Sequence, residues 1–433
     1  MNNVAANLPD GQWLADSNPY RNKGKRRGEN KLRSDLSKRS VGSDLSEYIG
    51  VSAPVHSMDG WSLLGRSITC LLRGDPYNAV HFAYYAELRA ALAILASQGI
   101  GVFNAPHCVV DSSGSCRIVE ALDEEEQHIG NHQWTWLAFK WWTQEPRAVD
   151  LLRKAVIPGK DPLGIWVDAM RKAGFALREV GAEWLSMWGI DIGRCLADRE
   201  ARNATSYWPS SINPWDPRTI VEDYKVVSNL WSPLEPSFEA RFAELDRHLL
   251  RIVLLEGYFG STGERKTSKV GRAGLQAEVE HILSNMGMQA SAGQFWRKFL
   301  SDTDVEMPEV IQMANGKSKV GKKGHVVEVM SRATMLLRLA TGASANLLFE
   351  AGITREDLDF WVQGVGTVRG IWHPKDAPEE LIDLWADVDS VLQQMEFHVD
   401  SDSPSTRAVW QEESKGLAIL GECERAALWG LGL

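Results

Sequence analysis

Apolar residues along this chain recur mostly three and four apart, the spacing that turns one face of a helix toward a core. "WSLLGRSITCLLR" from Trp61 and "NAVHFAYYAELRAALAILASQG" from Asn78 carry it, and Gly99 stands where the second helix would stop. The period then changes. "GVFNAPHCVV", "DSSG" and "SCRIVEAL" read as two strands about a glycine-containing turn near residues 101–121. Helical spacing resumes at Asn131 in "NHQWTWLAFKWW" and continues through "PLGIWVDAMRKAGFAL" and "GAEWLSMWGIDIGRCLADREARN". Pro209, Pro214 and Pro217 break the chain and mark an exposed connector. Beyond it, helices are predicted over "TIVEDYKVVSNLW", "SFEARFAELDRHLLRIVLLEGYF", "LQAEVEHILSNMG", "HVVEVMSRATMLLRLATG", "PEELIDLWADVDSVLQQM" and "KGLAILGECERAALWGLGL". Gly/Lys-rich loops are expected at 260–274 and 315–324. The fold predicted is mainly α: multi-helix bundles with a small β-hairpin insertion near 101–121.

A length of 433 residues suits two or three domains. The pattern divides them into a basic, disordered arm over 1–50, an N-terminal helical region with the hairpin over 51–215, and a C-terminal helical region with basic loops over 216–433. Eighteen tryptophans, spread from Trp13 to Trp429, point to aromatic anchors between helices. The terminal "ALWGLGL" suits packing on the body or docking into a partner's groove.

Charge refines this picture. The net charge of −10 argues against a protein that coats nucleic acid along its whole surface. Yet Arg21–Arg39 holds nine basic residues against two acidic ones. Arg26 and Arg27 in that arm, with Lys317, Lys319, Lys322 and Lys323 in the second loop, are the candidate nucleic-acid contacts; solvated segments are the alternative reading. The five cysteines form no CxxC pair, the opening residues lack the layout of a signal peptide, and no run of about eighteen uncharged apolar residues occurs. The expectation is a cytoplasmic protein without a membrane span.

Familiar cofactor motifs are absent. "NGKSKVGKKGH" contains Gly316-Lys317-Ser318 but has Ile311 where a phosphate-binding loop needs its first glycine. His128 and His132 follow the acidic run Asp123–Glu126, but Gly130 lies between them and the run reads as a solvated loop, so no metal is assigned. Arg369 and His373 in "VRGIWHPKD" are separated by Gly370, which favours a turn. No cofactor is expected.

Two further arginines interrupt apolar stripes. Arg89 shares a helical face with Phe82, Tyr85 and Leu92, and Arg332 shares one with Val329, Leu336 and Leu339. An arginine so placed must snorkel or find an anionic partner, because an unpaired buried charge is costly. Both are candidate buried charges. Their segments, "RAALAILASQG" and "RATMLLRLATG", share three of eleven positions. Two readings stand: an internal duplication, or two core helices obeying the same rules.

The stretch "DREARNATSYWPSSINPW", Asp198–Trp215, concentrates polar groups at the end of a helix. Asp198 and Arg202 sit four apart and can pair. Within it "RNATSY" resembles the motif of HEPN domains, all-helical modules of prokaryotic toxin–antitoxin and anti-phage systems. Their motif is an arginine, usually a polar follower, and a histidine four to six residues on. The resemblance implies metal-independent RNA cleavage in active members, with the histidine moving the 2′-hydroxyl proton and the arginine stabilising phosphate charge. Arg202 matches the arginine and Asn203 the follower. Tyr207 stands at the histidine's place, and no histidine occurs between His132 and His248. Arg202, Asn203 and Tyr207 are therefore the candidate catalytic set. The expected function is a non-catalytic or regulatory helical subunit of a conflict system, working with partner proteins or with RNA or DNA. An endoribonuclease and a purely structural scaffold are the alternatives.

Overall fold

The computed structural model describes residues 1–21, 34, 43–103, 107–111, 113–119, 129–175, 177–207, 219–288, 290–318, 325–399 and 405–432. The helices run α1 (Asn2–Ala5), α2 (Ser43–Leu72), α3 (Pro76–Ser97), α4 (Asn131–Trp142), α5 (Pro146–Ala155) and α6 (Leu163–Lys172). They continue as α7 (Gly181–Met187), α8 (Ile192–Tyr207), α9 (Ile220–Trp231), α10 (Ala243–Thr262), α11 (Lys269–Asn285) and α12 (Ala290–Ser301). The last six are α13 (Glu309–Ala314), α14 (His325–Glu350), α15 (Asp359–Arg369), α16 (Asp383–Val399), α17 (Thr406–Leu420) and α18 (Glu424–Gly432). Three antiparallel strands, β1 (Ile100–Gly101), β2 (His107–Val110) and β3 (Cys116–Val119), lie in that order between α3 and α4. The protein is mainly α with one small sheet.

Local chemistry sets these boundaries. Asp75 caps α3 by accepting from the Asn78 N–H at 3.1 Å, with Pro76 in the first turn. Thr219 and Glu222 form a reciprocal capping box at the start of α9. Gly263 ends α10 at φ +68°, so the first Gly/Lys-rich loop is far shorter than its composition implies. The run from 181 to 203 is two helices, because Gly189 turns the chain at φ +93°. The predicted hairpin gains a third strand: Ile100 and Gly101 pair with Val109 and Cys108.

α14 is the centre of the molecule. Nearly every residue from Val326 to Ala345 is buried, because α2 and α3 pack along it while α5, α13 and α18 cover other sides. One apolar core thus draws on described residues from both sides of the connector. Some of the buried indoles tie helices together through their N–H groups. Trp61 donates to Thr341 Oγ1 at 2.8 Å, Trp188 to the Leu249 carbonyl at 3.2 Å and Trp231 to the Leu420 carbonyl at 3.0 Å. The terminal helix α18 is part of this core, with Leu428 and Trp429 fully buried. Of the described residues, α3 alone is long and apolar enough to cross a membrane, yet 72% of that stretch is buried in the fold.

The N-terminal segment departs from expectation. Residues 1–21 are seated on the body: Val4, Leu8, Leu14 and Tyr20 are buried, and Trp13 packs edge-on against Phe360 and Trp361. Residues 43–50 begin α2. Widely spaced single anchors hold residues 1–21, and such anchors give no periodic signal. The expected arm contacts Arg26 and Arg27 lie outside the described residues.

Candidate functional site

α8 carries Cys195, Asp198 and Arg202 three and four apart, so all three face the body. Asp198 reaches α14, where the fully buried Arg332 donates through Nη2 to Asp198 Oδ2 and through Nε to Glu87 Oε1 of α3 at 3.2 Å. Arg332 Nη1 lies 3.4 Å from the Ala314 carbonyl, and His325 Nε2 lies 2.9 Å from Asp198 Oδ1. Asp198, which spacing allows to pair with Arg202, meets Arg332. Burial, and then the Asp198 charge, push the Glu87 carboxyl well above the usual range, although Arg332 opposes them. Burial works against the Arg332 charge, but Glu87 and Asp198 outweigh it and hold the guanidinium ionised. The cluster ties α3, α8 and α14 together. Arg89, by contrast, is half-buried, with Nη1 2.9 Å from His56 Nδ1 and 3.9 Å from Asp59.

One turn further along α8, Arg202 donates through Nη1 to Asn203 Oδ1 at 2.7 Å and through Nη2 to the Tyr85 hydroxyl. Its guanidinium carbon lies 4.9 Å from the ring centroid of Tyr85 and 5.7 Å from that of Tyr84, within cation–π range. Two histidines complete the patch. His81, one turn before Tyr85 on α3, packs its ring 5.1 Å from the Tyr85 ring. His132, in the first turn of α4, lies 5.5 Å ring to ring from Tyr85 and brings Nδ1 within 3.3 Å of the Tyr84 hydroxyl. Arg199 extends the same side by donating to Gln133 Oε1 at 3.0 Å. Burial and then the Arg202 charge depress the pKa of both histidines, which favours neutral imidazoles. His81, Tyr85, His132, Arg202 and Asn203 are each partly solvent-exposed.

The arrangement joins a guanidinium, two tyrosine faces and two neutral imidazoles in one place. No protein-family model, curated protein or solved structure matches the chain. The site therefore stands on its own geometry.

Of the residues singled out from sequence, Arg202 and Asn203 come together, and the Tyr207 side chain lies outside the described residues. Lys317 is exposed, whereas Lys319, Lys322 and Lys323 fall outside the described residues, as does His128. Among the described residues no cluster of three or more His, Cys, Asp or Glu side chains is arranged to hold a metal. Arg369 ends α15 at Gly370 (φ +74°), and His373 follows in an exposed turn 3.8 Å from Asp376. Sequence reasoning missed His81, Tyr84, Tyr85 and Glu87. Their signal was present: "HFAYYAE" places four polar-tipped side chains at helical spacing inside an otherwise apolar run.

Proposed function

We propose that this chain is a HEPN-like helical component of a prokaryotic conflict or anti-phage system, a non-catalytic or regulatory subunit that recognises RNA at Arg202 and acts with partner proteins. The system-level context rests on the resemblance of "RNATSY". What supports recognition is the Arg202 guanidinium lying over Tyr84 and Tyr85 with Asn203 beside it. A guanidinium meets phosphate, while the half-buried Tyr85 ring offers an aromatic surface to a splayed base, so the pair of features suits single-stranded RNA. The non-catalytic form is favoured because Tyr207 stands where active relatives carry histidine, and an unperturbed tyrosine, with a pKa of about 10, is a poor base at neutral pH.

The second reading, metal-independent RNA cleavage, has its own support in His81 and His132. These neutral imidazoles sit on neighbouring helices beside Arg202, and a neutral imidazole accepts a proton. In that chemistry the 2′-hydroxyl gives its proton to an imidazole, its oxygen bonds phosphorus, and the 5′-oxygen leaves with a proton from solvent.

The experiment that separates the two incubates a labelled single-stranded RNA with the chain without metal, and follows both binding and strand length. The non-catalytic reading expects bound, intact RNA. Cleavage abolished by the double substitution H81A/H132A, with binding retained, would establish the second reading. Absence of RNA binding would remove both.

A further inference from the structure

The first turn of α4 leads away from Arg202. His132 faces Tyr84, while Gln133, next to it, accepts from Arg199 of α8 at 3.0 Å. From Gln133 the outer face of α4 continues through Leu137, Lys140 and Trp141, three and four residues apart. Leu137 is 37% exposed, Trp141 is 52% exposed, and Lys140 is exposed beside them. Trp141 alone among the described tryptophans is exposed. Arg147, at the start of α5, holds its guanidinium carbon 5.2 Å from the centre of the Trp141 ring, within cation–π range.

No Asp or Glu interrupts α4 between Asn131 and Trp142. Arg199, Lys140 and Arg147 form no ion pair among the described residues; Glu145, Asp150 and Glu200 lie near them in sequence but bond to none of them. After burial, the guanidiniums of Arg202, Arg199 and Arg89 together depress the His132 pKa, the mark of a locally positive field on a chain of net charge −10. Cations held off carboxylates and an exposed indole thus continue the Arg202 patch along one helix face. We propose that a single-stranded RNA bound at Arg202 runs along α4, with phosphates at Arg199 and Lys140 and a base stacked on Trp141. The inference rests on the RNA reading of Arg202. From Gln133 to Trp141 the helix axis runs about 12 Å, the length of about three stacked bases. Arg147 fixes the plane of the indole, and such a ring stacks on a base of any sequence.

The test measures the affinity of a labelled single-stranded RNA of about eight nucleotides for the full chain across a salt series, with Arg202→Ala run alongside. Trp141→Ala should weaken binding about tenfold, the loss of one base stack, and leave the salt slope unchanged because no charge is removed. Arg199→Gln should weaken binding and shallow the slope by about 0.7, the loss of one phosphate contact. Both variants should keep the melting temperature near wild type. If either lowers it, Lys140→Gln at an exposed position replaces it and should shallow the slope by the same amount. Binding that depends on Arg202 but is undiminished in folded Trp141→Ala or folded Arg199→Gln would overturn the path along α4 and leave the Arg202 reading standing. A Trp141→Ala chain whose mass in solution changes while its RNA affinity does not would assign the face to a protein partner and overturn the path as well. Absence of RNA binding by the wild-type chain would remove both readings.

Discussion

At the residue scale the decisive side chain is Arg332, wholly buried yet bonded to Glu87 and Asp198. Arg332→Met leaves two carboxylates in the core without their cation, and removing one partner of such a cluster costs about 3–5 kcal/mol. Urea unfolding should show that loss as a lower midpoint. Glu87 adds a pH signature. Its folded pKa is raised, so the folded chain holds that proton more tightly than the unfolded one. Stability from this group is full below the unfolded carboxylate value of about 4.3 and declines as pH rises toward the folded value. Glu87→Gln should flatten that part of the stability profile, and an unchanged slope would contradict the assignment. His107 offers the opposite sign. Burial lowers its pKa to about 4, under a ring stacked 3.6 Å from Trp134. Stability should hold above about 6.5, the unfolded value, and fall as pH drops toward 4. Its NMR titration should be centred near 4. That Arg332 needed an anion was legible in its apolar stripe. The identity of the partners was not, because Glu87 and Asp198 lie 245 and 134 positions away in the chain.

At the scale of elements, close approach replaces side-chain chemistry. A Cβ at Gly65 of α2 would run into the Gly421 carbonyl oxygen that follows α17. Gly65→Ala should destabilise by about 1–3 kcal/mol, the usual cost of overpacking, with the lowered melting temperature as readout. Thr219→Ala, which removes the α9 capping box, should cost about 1 kcal/mol. Helices with a strong period, such as α3 and α14, were readable because their apolar positions repeat over many turns. α5, α12 and α15 were not singled out, and of α17 only the part from Lys415 onward was. They are short or carry mixed faces whose packing depends on distant partners, as when Trp410 of α17 donates to the Leu72 carbonyl at 2.9 Å. The site was half legible for the same reason. Arg202 and Asn203 lie in one motif, whereas Tyr85 and His132 reach them from other helices.

At the scale of the whole molecule, α14 closes the core by bringing the later part of the chain against α2 and α3. The same packing fixes α8, and with it Arg202, against the tyrosines of α3. The central claim is that Arg202 recognises RNA on an acidic protein of net charge −10. The most direct measurement is the affinity of a short single-stranded RNA for the wild-type chain and for Arg202→Ala across a salt series. Loss of a charge-assisted contact worth about 1.5–3 kcal/mol should weaken binding about tenfold or more. Loss of one phosphate contact should also shallow the salt slope by about 0.7. Equal affinity and an unchanged slope in a folded Arg202→Ala chain would contradict the account.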